Sequence, residues 1–224
     1  MKKYRKLIDE LPIEEHGFRI KRETWKNLEN SNTWYKEIND LIFKNNVEIY
    51  ITRGRLKKLA KSDNIAQFIL ETIYWGYPKG YTDGRNIYLP DLLENFKKWE
   101  ELVQILKKDG KIIDFKTFYK ENVEPIKGLG LSTFTKIIYF LETKINGNEA
   151  LIFDSQIVER LSKSQFRNSQ FETLNPYNTP KNVKNYELYL EYIKSLATEI
   201  ETTTEKIEMF LFIFGGVIYT EKTE

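Results

Sequence analysis

The stretch Ile126-Lys127-Gly128-Leu129-Gly130-Leu131-Ser132-Thr133 constrains this chain more than any other. Two glycines flank Leu129, so the backbone can turn tightly with φ > 0 and leave no side chain in the way. An apolar run at helical spacing, Phe134 to Leu141, follows. The turn therefore feeds a helix whose first N–H groups have no intrahelical partner and whose dipole is positive at that end. Such an end accepts an anion, and a phosphate suits it well. Leu129 and Leu131 are expected to anchor the turn in the core. A Gly-Leu-Gly link alone would join any two helices. Ile126 before it, and Ser132, Thr133 and an apolar helix after it, add weight.

A second signal follows the turn Asn146-Gly147-Asn148. The apolar approach Leu151-Ile152-Phe153 ends in Asp154, and Ser155-Gln156-Ile157-Val158-Glu159-Arg160-Leu161 continues as a short helix. An aspartate placed so is a good N-cap, and capping alone would account for it. The order of hairpin, apolar helix, turn, apolar approach, Asp154 and Arg160 is what sets it apart.

The rest of the chain reads as nearly all helix, so the fold class is all-α. Residues 1–20 form an irregular, charged N-terminal arm broken by Pro12 and Gly17. Thr33 is placed to cap a helix over 33–44 with Trp34, Ile38, Leu41 and Ile42 on one stripe. Residues 45–51 connect it onward, although the alternation of Val47, Ile49 and Ile51 also fits a short strand. Thr52 starts a basic helix, and Ser62 and Asp63 open the next, which stops at Trp75-Gly76-Tyr77-Pro78. Residues 79–88 are a loop. Pro90 begins a helix running through Leu106, and Asp114 caps another. The hairpin helix extends to Leu141 or Lys144. Residues 163–181 are a polar excursion, 183–200 an amphipathic helix, and Thr202 with Glu205 a capping box for 203–214.

Composition excludes several chemistries. The 224 residues contain no cysteine and one histidine, His16. Disulfides, thiolate metal sites, a cysteine-held iron–sulfur cluster and a Ser-His triad are thereby set aside. The longest apolar run, 209–214, is too short to span a bilayer, so no membrane partner is expected. Net charge is +2, which says little about partners by itself. Between residues 52 and 62, however, lie Arg53, Arg55, Lys57, Lys58 and Lys61 with no acid among them. A local basic stripe can hold phosphates, and a solvated helix face is the plain alternative.

Over residues 125–161 the constellation resembles the helix-hairpin-helix DNA glycosylase superfamily, in which an approach strand ends in Asp and precedes an apolar helix carrying an arginine. The stretch Tyr74-Trp75-Gly76-Tyr77-Pro78-Lys79-Gly80 is similar to a segment of bacterial 8-oxoguanine glycosylase-like proteins. The resemblance implies two helical lobes around a cleft in one domain over 1–224. Residues 33–144 would form the middle lobe, and 1–32 with 145–224 the second. It implies a monomer acting on double-stranded DNA, cytoplasmic and nucleoid-associated, without a cofactor. The enzyme would flip a damaged or modified base and hydrolyse its bond to the sugar. Asp154 would stabilise the cationic sugar. Lys127, Gly128, Leu129, Gly130 and Ser132 would hold phosphate, with a monovalent cation as a candidate companion at the hairpin backbone. Arg53, Arg55, Lys57 and Lys136 would add DNA contacts, and Trp75 and Tyr77 are candidates for the base pocket.

Two departures bear on mechanism. Bifunctional members carry a lysine two residues after the second glycine, where this chain has Ser132; the resemblance thus implies a monofunctional enzyme. Lys136 lies one helical turn further on the same face, so a displaced amine stays open. Lys127 also stands where the family usually has proline. A DNA-binding module of the same fold without excision activity, and a helical protein–protein adaptor, are the competing readings.

Overall fold

The computed structural model describes residues 1–30, 32–80, 89–164 and 166–216. The chain opens with α1 (Arg5–Asp9), then strand β1 (Gly17–Lys21) and α2 (Arg22–Trp25). Next come α3 (Thr33–Phe43), β2 (Glu48–Thr52), α4 (Arg53–Ala60) and α5 (Ile65–Gly76). After α6 (Leu89–Glu94) and α7 (Phe96–Asp109) come β3 (Lys111–Ile112) and α8 (Phe115–Phe118), which passes into a π turn, Tyr119–Val123. The second half holds α9 (Leu131–Phe140), β4 (Lys144–Ile145), β5 (Asn148–Glu149), α10 (Ser155–Lys163), α11 (Thr179–Ile200) and α12 (Thr204–Phe214). Over the described residues the protein is thus mostly helical with two small sheets. Among the described residues no helix is long and apolar enough to cross a membrane.

The core is built around α5 and α9. Every residue of α5 from Phe68 to Trp75 is buried, as are Thr133 to Phe140 of α9. A helix buried on all sides belongs at the centre of a fold, and α5 packs against α3, α4, α7 and α9. Each fully buried Ile, Leu or Phe contributes roughly 1.5–3 kcal/mol, so these two helices fix where everything else sits.

The all-α expectation needs one correction. Residues 17–21 are not part of an irregular arm: β1 pairs antiparallel with β2, Gly17 opposite Thr52 and Ile20 opposite Ile49. The physical reason is Gly17 itself, since a Cβ there would stand 2.3 Å from the carbonyl oxygen of Ile51. Ile20 and Ile51 point into the core from this ribbon. A second, smaller sheet joins β3 parallel to β4 and β4 antiparallel to β5 across the turn at Asn146-Gly147. That pairing ends α9 at Phe140, short of Lys144.

Several caps sit one residue from the sequence expectation. Asn32, not Thr33, caps α3 by accepting from the Tyr35 N–H. The helix consequently buries Tyr35, Asn39, Ile42 and Phe43 and leaves Leu41 exposed. Asn64 caps α5, and Thr203 caps α12 while Thr202 donates to Asp9. The helix expected from Pro90 through Leu106 breaks at Asn95 into α6 and α7. Most of the loop expected at 79–88 lies outside the described residues.

Candidate active site

The hairpin is built as its glycines suggest. The Leu129 N–H donates to the Ile126 carbonyl at 3.1 Å. Gly128 adopts φ +86°, and a Cβ there would approach the Leu92 backbone nitrogen to 3.3 Å. The turn thus rests on α6. Lys127 pairs with Asp91 of that helix at 2.9 Å. Leu129 and Leu131 are buried. No side chain caps α9 at Gly130, and a Cβ on Gly130 would meet nothing within 4 Å. A backbone phosphate can approach such an open helix start closely. As for the candidate cation, the hairpin carbonyls of Val123 and Ile126 already accept from Ile126 and Leu129.

Asp154 begins α10. Its Oδ1 accepts from the N–H groups of both Gln156 and Ile157, each at 3.1 Å. Capping therefore occupies one carboxylate oxygen. Lys136 reaches Oδ2 at 3.5 Å, a long contact. The Lys136 amine is held more closely by Ser132, donating to its Oγ at 2.8 Å and to its carbonyl at 3.3 Å. The side chain of Asp154 is 12% exposed and that of Lys136 only 4%. The lysine stem lies on Gly76 at the end of α5, where a Cβ would come within 3.1 Å of Lys136 Cδ. The hairpin helix and the start of α10 are thus joined by one buried amine.

The approach to Asp154 is pinned by hydroxyl groups. The Phe153 N–H donates to Thr135 Oγ1 at 3.1 Å. Tyr186 donates to the Leu151 carbonyl at 2.7 Å and accepts from the Leu151 N–H at 3.2 Å. Tyr189 donates to the Ile152 carbonyl at 3.0 Å. Burial pushes both phenols well above their ordinary range, so both stay protonated donors. In sequence these tyrosines read only as part of the inward stripe of α11. The available signal was that a buried Tyr needs a partner for its hydroxyl.

Most of the basic run is engaged in ion pairs within the fold. Arg53 is fully buried and pairs with Glu208 of α12 at 2.7 Å. Arg55 pairs with the buried Glu71 at 2.6 Å. Lys57 pairs with Glu14 and Glu205, and Lys61 with Glu142. The acids come from distant parts of the chain, which is why the local sequence looked unpaired. Lys136 likewise faces Asp154 and Ser132 rather than open solvent. Of the four expected DNA contacts, Arg53 and Lys136 are buried against counter-charges, whereas Arg55 and Lys57 are paired with acids but only partly buried.

Of the two base-pocket candidates, Trp75 is buried, with its ring edge-to-face against His16, Phe18 and Phe140. Tyr77 is half-buried and shares a hydrogen bond of 3.1 Å with Thr133 Oγ1 in the first turn of α9. Beside Trp75, burial first and the Arg53 charge second push the His16 imidazole down from 6.5 to about 4. Between those values the unfolded chain takes up a proton that the folded chain refuses. Stability should therefore fall as pH drops below about 6.5. Denaturant midpoints measured from pH 7 to pH 5, above most carboxylate titration, should show this decline in the native protein and not in His16→Phe.

A comparison with protein families now bears on this geometry. The family described as "Putative 8-oxoguanine DNA glycosylase OGG-like protein" has a sequence model that matches residues 11–212. The chain belongs to that family. No curated protein and no solved structure matches it. Membership in the OGG-like family gives the coarse function, a DNA glycosylase, with DNA as the class of substrate. The matched span covers the β1–β2 ribbon, the hairpin, Asp154 and most of α12, so the OGG-like match takes in every element that meets at the site. Among the described residues no group of three or more His, Asp or Glu is placed to hold a metal ion.

Proposed function

We propose that the protein is a monofunctional DNA N-glycosylase that removes a flipped, damaged or modified base from duplex DNA, with Asp154 as its catalytic residue. The observation that carries this is the division of labour on Asp154: Oδ1 satisfies the cap, whereas among the described residues Oδ2 has only a 3.5 Å contact with Lys136. A plain N-cap does not need that second oxygen. As the bond from sugar to base breaks, positive charge builds on the sugar, and a fixed carboxylate oxygen beside it stabilises that charge without reorganising. The base leaves with the bonding electrons, and water adds to the sugar carbon. The hairpin from Lys127 to Ser132 positions the strand by offering backbone N–H groups to a phosphate. Tyr77, hydrogen-bonded at the first turn of α9, stands at the edge of the same region. One domain with two lobes around the cleft, acting as a monomer, is the arrangement this reading requires. Incubation with duplexes carrying a panel of modified bases, followed by alkaline cleavage of abasic sites, tests it. Release of no base from any duplex would refute it.

The way Lys136 is held supports hydrolysis rather than lyase chemistry. Its amine has three acceptors, and its stem packs against Gly76. On this reading it is a counter-charge that orients Asp154 rather than an amine that reaches the sugar. The second reading has a specific observation in its favour: the amine sits 2.8 Å from Ser132 Oγ, at the position where a nucleophilic lysine would be matched. An attacking amine would condense with the ring-opened sugar aldehyde, expel water and leave a C=N bond that borohydride reduces. The expected outcome is abasic product that breaks only in alkali, with no borohydride-trapped complex. A trapped complex in the native protein that is missing in Lys136→Gln would establish the second reading.

A further inference from the structure

His16 is the side chain that the proposed mechanism leaves unexplained. It is the sole histidine of the chain. Its ring is ringed edge-to-face by Phe18, Trp75 and Phe212, with centroids 5.3, 5.7 and 5.7 Å away. Among the described residues its Nδ1 is buried without a hydrogen-bond partner, and so is Nε1 of the neighbouring Trp75. Buried polar atoms are nearly always paired, and leaving one unpaired costs about 1–3 kcal/mol. Two unpaired groups on one cluster leave it able to take a hydrogen-bonding partner.

The backbone goes to some length to place this ring. The His16 carbonyl accepts from the Arg53 N–H at 2.9 Å, and the Glu14 carbonyl from the Gly54 N–H at 3.0 Å. Gly17 and Gly54 permit those approaches, since a Cβ on Gly17 would stand 2.3 Å from the Ile51 carbonyl oxygen and one on Gly54 3.1 Å from that of Glu14. The cluster also adjoins the proposed catalytic group. Trp75 is followed by Gly76, on which Lys136 lies, and Lys136 reaches Asp154. On the other side, Phe212 precedes Gly215 and Gly216, which pack on Arg160 of α10, the helix that Asp154 caps. His16, Phe18 and Phe212 are only half-buried, so the cluster has an open side.

We propose that His16 reads the flipped base: walled by Phe18, Trp75 and Phe212, its imidazole hydrogen-bonds the edge of a planar purine or pyrimidine and sets which base is excised. The inference rests on the glycosylase reading above. Aromatic walls stack on any base, whereas a hydrogen bond distinguishes one edge from another. A base would approach from the half-exposed side of the cluster, and the ring would turn about its Cβ–Cγ bond to offer Nδ1 there. The imidazole resists protonation here, so it presents one donor and one acceptor at neutral pH.

Because the chain has one histidine, an imidazole nitrogen NMR spectrum reports His16 alone. The Asp154→Asn variant, which should retain uncleaved DNA, is mixed with a duplex carrying an excisable base or with the same duplex carrying a stable abasic analogue. The Nδ1 resonance should move in the first complex and not in the second. His16→Phe, which keeps an aromatic wall, should excise the preferred base about tenfold more slowly, the loss of one hydrogen bond. Its affinity for the abasic duplex should be unchanged. Identical His16 spectra in the two complexes, or unaltered excision by His16→Phe, would overturn the assignment while the glycosylase reading stands. Failure of the native protein to release any base would remove both.

Discussion

Asp154→Asn should slow base excision by about 10²- to 10³-fold, the usual cost of removing one preorganised group that stabilises transition-state charge. Single-turnover release of the preferred base measures it. Asparagine caps helices about as well as aspartate, so its carbonyl can still accept from Gln156 and Ile157 and α10 should start where it does now. What changes is the second oxygen. An amide nitrogen there would face the Lys136 amine, donor against donor, and the lysine would keep only its two Ser132 contacts. Some stability should be lost along with activity, because a buried ammonium loses its counter-charge. The double variant Asp154→Asn with Lys136→Met separates the two effects. It removes the unpaired charge, so the unfolding midpoint should recover while excision stays low. Recovery of excision along with stability would show that Asp154 only caps α10. Asp154→Ala is a poorer probe, since losing the cap alone costs about 0.5–2 kcal/mol.

Asp154 and the hairpin were legible in the sequence because their signals are local. Gly128 needs φ > 0, Gly130 needs open space, and an Asp before a short apolar helix needs nothing beyond its own next turn. Fold class was legible for the same reason, through helical spacing in α5, α7, α9 and α11. The elements that were not legible depend on partners far along the chain. Nothing around Gly17 says that its opposite number is Thr52, so β1 looked like an irregular arm. Nothing around Lys136 says that Gly76 leaves it room or that Asp154 awaits it. The basic run is the clearest case. Between residues 52 and 62 there is no acid, and the expectation of a phosphate-binding stripe followed from that. The balancing acids are Glu14, Glu71, Glu142, Glu205 and Glu208, brought in by tertiary structure.

Glu208→Ala should destabilise the protein by about 3–5 kcal/mol, the range found when one partner of a buried ion pair is removed. Arg53 and Glu208 are both 0% exposed and meet through two contacts, 2.7 and 3.3 Å. Arg53 is held charged more firmly than usual, while burial pushes the Glu208 carboxyl up. The two-point geometry decides for the ion pair, because a guanidinium cannot be neutralised in a protein and needs the opposing charge. Arg53 also donates to Tyr139 at 3.0 Å, and Tyr139 donates to Glu205, which accepts from Lys57 at 2.7 Å. Removing Glu208 leaves Arg53 with one neutral acceptor and no counter-ion. Urea midpoints should therefore drop sharply in Glu208→Ala and recover largely in Arg53→Met with Glu208→Leu, since apolar replacement of a whole buried pair is often neutral. A Glu208→Ala protein as stable as the native one would mean that the pair is hydrated rather than sealed. The same reasoning disqualifies charge reversal at Arg53 as a test of DNA affinity. It would set two carboxylates against each other inside the core, and loss of binding would then report unfolding. DNA contacts are better probed at Lys127, whose side chain is 69% exposed beside the hairpin. There a substitution should weaken binding modestly, reduce its salt dependence, and leave the fold intact.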